Sequence, residues 1–295
     1  MSSNFWGTNT DNIDLERAKN SLITDLKYLM SLGFVESHRS HNTGIGKTIE
    51  DLMDVEENNL SVPDYKGCIE LKSQRAFTGS MLSLFTKSPS YPSNANNTLR
   101  ERFGHPTDDS IHNVLHTTIK HSEFNRLNDT WGFKLNIDEE NRRLILLIKN
   151  LETDEIEDFQ PYWNFDDLNP KITEKCSLIA YITADTKIVD DIEYFHFKKV
   201  VLLSGLTSEK FFNSIREDFI LFDIRIGAYK SGNHIGKSHD HGSGFRVKRQ
   251  NLSRIFNIEE ITINESEETA NNLDVMNDPQ KEKRETNIQK KLKDF

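Results

Sequence analysis

A chain of 295 residues is long enough for one large domain or two lobes around a buried core. Its formal net charge of −10 argues at first against a polyanionic partner. It holds no apolar run of about eighteen residues, the length a membrane-spanning helix needs. The start, MSSNFWGTNTDN, is polar and lacks an apolar signal core, so secretion is not expected. Cys68 and Cys176 form no C-x-x-C, which suits reduced thiols in a cytoplasmic protein, and Cys68 reads as a small buried filler.

Asp11 or Asn12 can cap a helix from about Ile13 to Leu32. Leu15, Ala18, Leu22, Leu26 and Leu29 recur there at three- and four-residue spacings, and Gly33 fits the stop. His38-Arg39-Ser40-His41 reads as a solvated linker. Gly44-Ile45-Gly46-Lys47-Thr48 invites a phosphate-loop reading, but that pattern needs a glycine where His41 stands and a strand leading in, so nucleotide binding is rejected. These glycines instead let a loop approach a ligand or start the next helix. Thr48 to Glu56 reads as that helix, with Ile49, Leu52 and Met53 on one side and Glu50 projecting toward a hairpin just beyond it.

Next come Pro63-Asp64 and Glu70-Leu71-Lys72. Gly67 to Ser73 alternates like a strand, which puts Glu70 and Lys72 on one face and turns Ile69 and Leu71 into a core. Pro63 suits an edge strand or a turn. A hairpin bringing Asp64 beside Glu70 would offer two carboxylates to a hard cation of the Mg²⁺ type. Such an ion activates water and steadies a phosphate's developing charge. Lys72 is placed to orient or help deprotonate that water. This chemistry fits phosphodiester hydrolysis. On its own D-x₅-E-x-K is a weak pattern, since the wet face of a hairpin often produces it; the helix carboxylate Glu50 makes the set more specific.

Phe77 to Phe85, with Met81, Leu82, Leu84 and Phe85, reads as a strand or a short helix. Thr86-Lys87-Ser88-Pro89 is a turn on its residues alone, and Ser90 to Asn97 is a loop. His112 and His116 lack the glutamate that H-E-x-x-H requires, so they read as structural histidines. From about Asn141 the texture turns to strands: Leu144 to Ile148, Leu178 to Thr183, Val200 to Leu203 and Phe219 to Ile226. A helix is expected over Ser208 to Arg216, and Trp163 and Phe165 pack between. The class is α/β or α+β. Beyond about Ile263 the chain is polar and nearly free of aromatics, a flexible extension with a transient helix over 280–293.

Charge is unevenly spread. Asp223 to Asn257 carries Arg225, Lys230, Lys237, Arg246, Lys248, Arg249 and Arg254 against Asp223 and Asp240 alone. Local basic surface matters more to a polyanion than whole-chain charge. Asp223 and Arg225 share a strand face, and His239-Asp240-His241 and Arg246 follow a glycine-rich loop. Arginine matches guanine's two acceptors, aspartate accepts from cytosine's amino group, and histidine donates to base acceptors. Lys230 and Lys237 nearby suit phosphates. His239-Asp240-His241 is also open to two other readings, a metal site or a hydrogen-bonded turn.

The segments TGIGKTIEDL, PD, IELK, SLFTKSP, DIRIGAYKSG and GKSHDHGSGFRV, in order and approximate spacing, resemble the MvaI/BcnI family of type II restriction endonucleases. The resemblance runs from roughly Leu15 to Ile258. It implies an α/β (α+β) fold like that of the related nickase MutH, with a PD-(D/E)xK core. A catalytic lobe over residues 1–140 and a recognition lobe over 141–257 would flank a DNA cleft, with a flexible charged tail over 258–295. The catalytic residues implied are Glu50, Asp64, Glu70 and Lys72. Mg²⁺, or Mn²⁺ in its place, would be held by Asp64, Glu70 and the Leu71 carbonyl, with Glu50 supporting a second ion or orienting Lys72. Arg225, His239, Asp240, His241 and Arg246 would read bases, and Lys87 would line the DNA path. The resemblance further implies a monomer acting on double-stranded DNA at a CCWGG-like site, leaving 5′-phosphates, beside a cognate methyltransferase. Single-strand nicking is the alternative; a degraded binding module is another, opposed by the intact Asp64, Glu70 and Lys72.

Overall fold

The computed structural model describes residues 9–55, 62–107 and 110–261. In chain order the first elements are α1 (Asn9–Ser31), β1 (Phe34–Glu36), α2 (Gly44–Leu52), β2 (Glu70–Arg75), β3 (Leu82–Thr86), α3 (Ala95–Phe103), β4 (His105–Thr107) and β5 (Ser110–Ile119). Then come β6 (Trp131–Asp138), β7 (Arg143–Asn150), β8 (Tyr162–Asn164), α4 (Phe165–Cys176), β9 (Leu178–Val189) and β10 (Ile192–Ser204). The last are α5 (Ser208–Arg216), β11 (Ile220–Ala228), β12 (Ser238–Asp240), β13 (Gly244–Val247), α6 (Leu252–Ile255) and β14 (Asn257–Ile261).

The first sheet has the order β1-β10-β9-β2, with β14 also on β10. β9 and β10 form a long hairpin whose two turn residues, Asp190 and Asp191, both take positive φ, as a tight primed turn demands. β2 runs parallel to β9, pairing Glu70 with Ile179 and Lys72 with Tyr181. Both faces of this sheet are covered. Ala180, Ile182, Val200 and Leu202 pack with Ala18, Leu22, Leu26 and Leu29 of α1 and with Ile45 and Ile49 of α2. Ile179, Tyr181, Val201 and Leu203 point the other way, into a larger core shared with α4, α5, α6 and the second sheet. Double burial explains why these strands read as continuous apolar runs.

The second sheet has the order β3-β13-β11-β5-β4, with β12 on β11, and a third is β6-β7-β8. The architecture is mixed α+β. Trp163 and Phe165 are buried where these layers meet, as expected. α5 has the expected bounds, because the Thr207 side chain accepts from the Lys210 amide at its start.

Several expectations need correction. α2 begins at Gly44 rather than Thr48, so both glycines lie inside the helix. A Cβ on Gly44 would stand 2.2 Å from the Arg39 carbonyl oxygen, so that close approach fixes the residue. His112 and His116 lie on a strand, β5, and strands begin well before Asn141. Residue 140 does not separate the sheets either: β2 pairs with β9 and β3 with β13, so each draws strands from both sides of it. Ile258 begins no flexible tail, since β14 pairs with β10 through Ile261. The rest of that tail, including 280–293, lies outside the described residues. Among the described residues no helix is long and apolar enough to cross a membrane.

Candidate active site

β2 is an edge strand, and its open edge is where Asp64 docks. Tyr65 and Ile69 bridge antiparallel, closing a tight turn through Lys66 and Gly67, both at positive φ. The turn folds the chain back so that Asp64 Oδ2 accepts the Leu71 amide at 3.1 Å. Asp64 therefore lies beside the first residues of β2, as the hairpin reading requires. Alternation along β2 does the rest. Leu71 packs toward α1 and α2, while Glu70 and Lys72 face the opposite side, where Lys72 Nζ lies 2.5 Å from Glu70 Oε1.

Glu70 is only 3% exposed. A carboxylate so deeply withdrawn from water needs compensating charge. It has two cations: Lys72, and Lys175 near the end of α4, whose Nζ lies 2.9 Å from Glu70 Oε2. Lys175 also donates to the Val62 carbonyl at 2.8 Å, two residues before Asp64. Behind the pair the fully buried Cys176 forms part of the wall, and its burial pushes the thiol up to about 12. Gln74, next along the same face, accepts from the Tyr181 hydroxyl and donates to the Ser80 carbonyl. Glu50 rides on α2, which packs against β2 through the core holding Ile49 and Ile69.

The donors fit a hard divalent cation. Two carboxylates and a backbone carbonyl are hard oxygens, and Mg²⁺ takes one or two carboxylates and completes its shell with water and phosphate. The buried Glu70 carboxylate also draws two ammonium groups onto itself, which marks a local demand for positive charge. Among the described residues no group of three or more His, Cys, Asp and Glu is gathered to hold a metal by itself, the His239-Asp240-His241 run included.

The second sheet gathers most of the expected recognition residues around β11. Asp223 and Arg225 share a face as the alternation requires, with Arg225 Nε 2.6 Å from Asp223 Oδ2. Arg225 pairs across the strands with His116, Ile226 with Asp240 and Gly227 with His239. His239 stacks on Tyr229 and lies 4.3 Å from the His241 ring. Gly227 has a reason to lack a side chain: a Cβ there would stand 2.9 Å from His241 Nε2. Burial first, then Arg225, lowers the pKa of His116; burial first, then His239 and His116, lowers that of His241. Both imidazoles are therefore held toward the neutral form. Lys230 and Lys237 are exposed, while Lys87 is half-buried.

Two expected readers point inward. Arg246 is buried; its guanidinium lies against Asp223 and donates to Ser83 Oγ and to the Gly242 carbonyl. Burial lowers its pKa, and Arg225 adds to that. Asp240 accepts the Gly242 and Ser243 amides at 3.0 and 2.6 Å and the Asn96 amide group at 2.8 Å. Asp240 thus closes a hydrogen-bonded turn, while His239 and His241 do not take part in these bonds. The residues missed by the sequence reading are the braces: Lys175, Asn96, and the buried Arg100, which holds the Ser238 hydroxyl and the Gly236 carbonyl. Nothing local marks them, since each partner lies far along the chain.

Comparison with known proteins places this geometry. Residues 23–256 match the MvaI/BcnI restriction endonuclease family. A solved structure described as a restriction endonuclease MvaI–cognate DNA substrate complex is similar at 36% identity with a TM-score of 0.76, covering 82% of this chain and 98% of that one. The structure of restriction endonuclease MvaI in the absence of DNA is similar at 34% identity with a TM-score of 0.54, covering 89% of this chain and 100% of that one. Comparison with curated proteins finds no match. With residues 23–256, most of its length, matched by the family, the chain belongs to the MvaI/BcnI restriction endonuclease family, a family of site-specific nucleases.

Proposed function

We propose that this protein is a type II restriction endonuclease that hydrolyses both strands of double-stranded DNA at a short, CCWGG-like site. It leaves 5′-phosphates, works as a monomer with Mg²⁺ or Mn²⁺, and acts beside a methyltransferase that protects the host's own sites. The observation that carries the reading is the convergence of Asp64, Glu70 and Lys72 at one end of an edge strand, in a chain of this family.

Asp64, Glu70 and the Leu71 carbonyl would hold the divalent ion, and Glu50 would support a second ion or orient Lys72. When bound, the ion supplies acidification of a water and charge neutralisation at the phosphate. The chain's own residues do the positioning. Asp64 is fixed by the Leu71 amide, so its free oxygen is aimed rather than mobile. Lys72 would turn from Glu70 and orient the attacking water by donating an Nζ–H to its oxygen, or, after first losing its own proton to solvent, take that water's proton.

Recognition belongs to the face around β11 in this reading. Arg225, His239 and His241 supply base-directed groups, and Lys87, Lys230 and Lys237 supply phosphate contacts. Asp240 and Arg246 shape the loop that carries them. The cut site is served by the first sheet and the readout by the second, so the two lobes are layers rather than consecutive halves of the chain.

The test is supercoiled plasmid with and without Mg²⁺, comparing wild type with Glu70→Gln. Linear product from wild type alone supports the reading. Nicked circles that never become linear would support single-strand nicking, and identical cutting by both proteins would remove the catalytic assignment.

A further inference from the structure

Lys175 lies in the cleavage site but belongs to neither the aspartate turn nor the E-x-K strand. It sits on α4, 105 residues beyond Glu70, and its ammonium bridges two parts of the site. One contact is the Glu70 carboxylate at 2.9 Å and the other the Val62 carbonyl at 2.8 Å. Val62 lies just ahead of Pro63-Asp64. The lysine side chain is mostly buried, 16% exposed, and the Glu70 side chain is 4% exposed.

This bridge bears on where Asp64 sits. The Asp64 carboxylate meets β2 by accepting the Leu71 amide on the strand's open edge. Lys175 anchors the chain just before it, through Val62, to the other face of the same strand. A charge-assisted contact on each side of the turn, the part-buried one to Glu70 and the exposed one to the Val62 carbonyl, sets the distance between the two carboxylates. An ammonium offers three donors in flexible directions, which lets one residue satisfy a carboxylate and a carbonyl at once.

We propose that Lys175 is a positioning residue for strand cleavage: it ties the segment carrying Asp64 to Glu70, so that α4 sets the spacing of the two carboxylates. This rests on the assignment of Asp64 and Glu70 given above. Lys72 and Lys175 then divide the work on Glu70. Lys72 is released toward the reacting water, while Lys175 stays as the tether. The assignment also gives α4 a part in catalysis that its sequence, FDDLNPKITEKC, does not announce.

The experiment compares Lys175→Met, Lys175→Arg, Lys72→Met and wild type. Each protein is pre-bound to cognate DNA in Ca²⁺ and then started with excess Mg²⁺ under single-turnover conditions. Only molecules folded well enough to bind are counted. Lys175→Met is expected to bind within about threefold of wild type but to cut roughly 30- to 100-fold more slowly, the scale of a misplacement near 1 Å. Lys175→Arg, which keeps charge and several donors, is expected to recover most of that loss. A second readout needs neither metal nor DNA. Hydrogen exchange of the Leu71 amide, shielded by Asp64, is expected to speed up in Lys175→Met and not in Lys72→Met.

A Lys175→Met that cuts at the wild-type rate overturns the proposal, and so does one that cannot bind cognate DNA, because the role is then in folding or binding. Unchanged Leu71 exchange also overturns it. Lys72→Met reports on the underlying assignment separately: if it cuts like wild type, the E-x-K reading itself fails, whatever Lys175 does.

Discussion

Replacing Arg246 with alanine is expected to lower stability far more than it alters the choice of DNA site. The guanidinium is buried against Asp223, itself 7% exposed, and donates to Ser83 and to the Gly242 carbonyl. Removing one member of a buried ion pair costs about 3–5 kcal/mol, because the other charge is stranded. Here Asp223 keeps a half-exposed partner in Arg225 and the Thr118 hydroxyl at 2.7 Å, which offsets part of that. The Gly242 carbonyl loses a donor, adding about 1 kcal/mol. The net expectation is roughly 2–4 kcal/mol, or a fall in Tm of about 5–12 °C for a domain of this size. Urea and thermal unfolding followed by circular dichroism measure it, with cleavage of singly substituted sites run below the new Tm. A variant of wild-type stability that cuts relaxed sites would refute the reasoning and make Arg246 a base reader.

The same geometry yields other expected outcomes. Lys72→Ala should abolish cleavage while leaving cognate binding intact, because Glu70 keeps Lys175; a filter-binding or anisotropy titration in Ca²⁺ checks the second half. Arg225→Ala should weaken cognate binding by roughly 1–3 kcal/mol, and equal weakening on unrelated DNA would count against base contact. The depressed pKa values of His116 and His241 mean that the unfolded chain takes up these protons first. Their contribution to stability is complete above the ordinary histidine value of about 6.5 and is lost as pH falls below it. Urea midpoints from pH 7.5 to 5.5 should therefore slope downward, less so in His116→Gln, and a flat profile would contradict this. Cys176 should resist a thiol reagent at pH 8 in the native protein and react on unfolding; ready native labelling at that position would mean the wall behind Glu70 is open.

The turn and strand that carry the proposed catalytic residues were legible because their signals are local. Alternation over 67–73 sets the Glu70–Lys72 face, and a proline and a glycine mark the turn that returns Asp64 to it. α1 and α5 were legible for the same reason, since apolar spacing lies within each segment; Thr207 caps α5, while α1 begins at Asn9, ahead of the expected caps Asp11 and Asn12. β5 was missed because polar residues such as His116 and Thr118, which meet Arg225 and Asp223 across the second sheet, break its apolar pattern, and β6 of the third sheet was missed with it. Arg246 and Asp240 carry the right chemistry for bases, and their spacing gave no hint that Asp223, Ser83 and Asn96 would engage them inside the fold. Those partners lie on other strands and on α3. Lys175 was invisible for the same physical reason, since its bond to Glu70 exists only once β9 has laid α4 beside β2. That both sheets draw strands from either side of residue 140 could not be read in advance, because hydrogen bonding across a sheet ignores chain order.

One measurement addresses the proposed activity most directly: digest a large, unmethylated DNA with Mg²⁺ and sequence the ends. Discrete fragments that share one short motif and carry 5′-phosphates are the expected result. No cutting with Mg²⁺ or Mn²⁺, on methylated and unmethylated DNA alike, would contradict the assignment of Asp64, Glu70 and Lys72 as a working cleavage site.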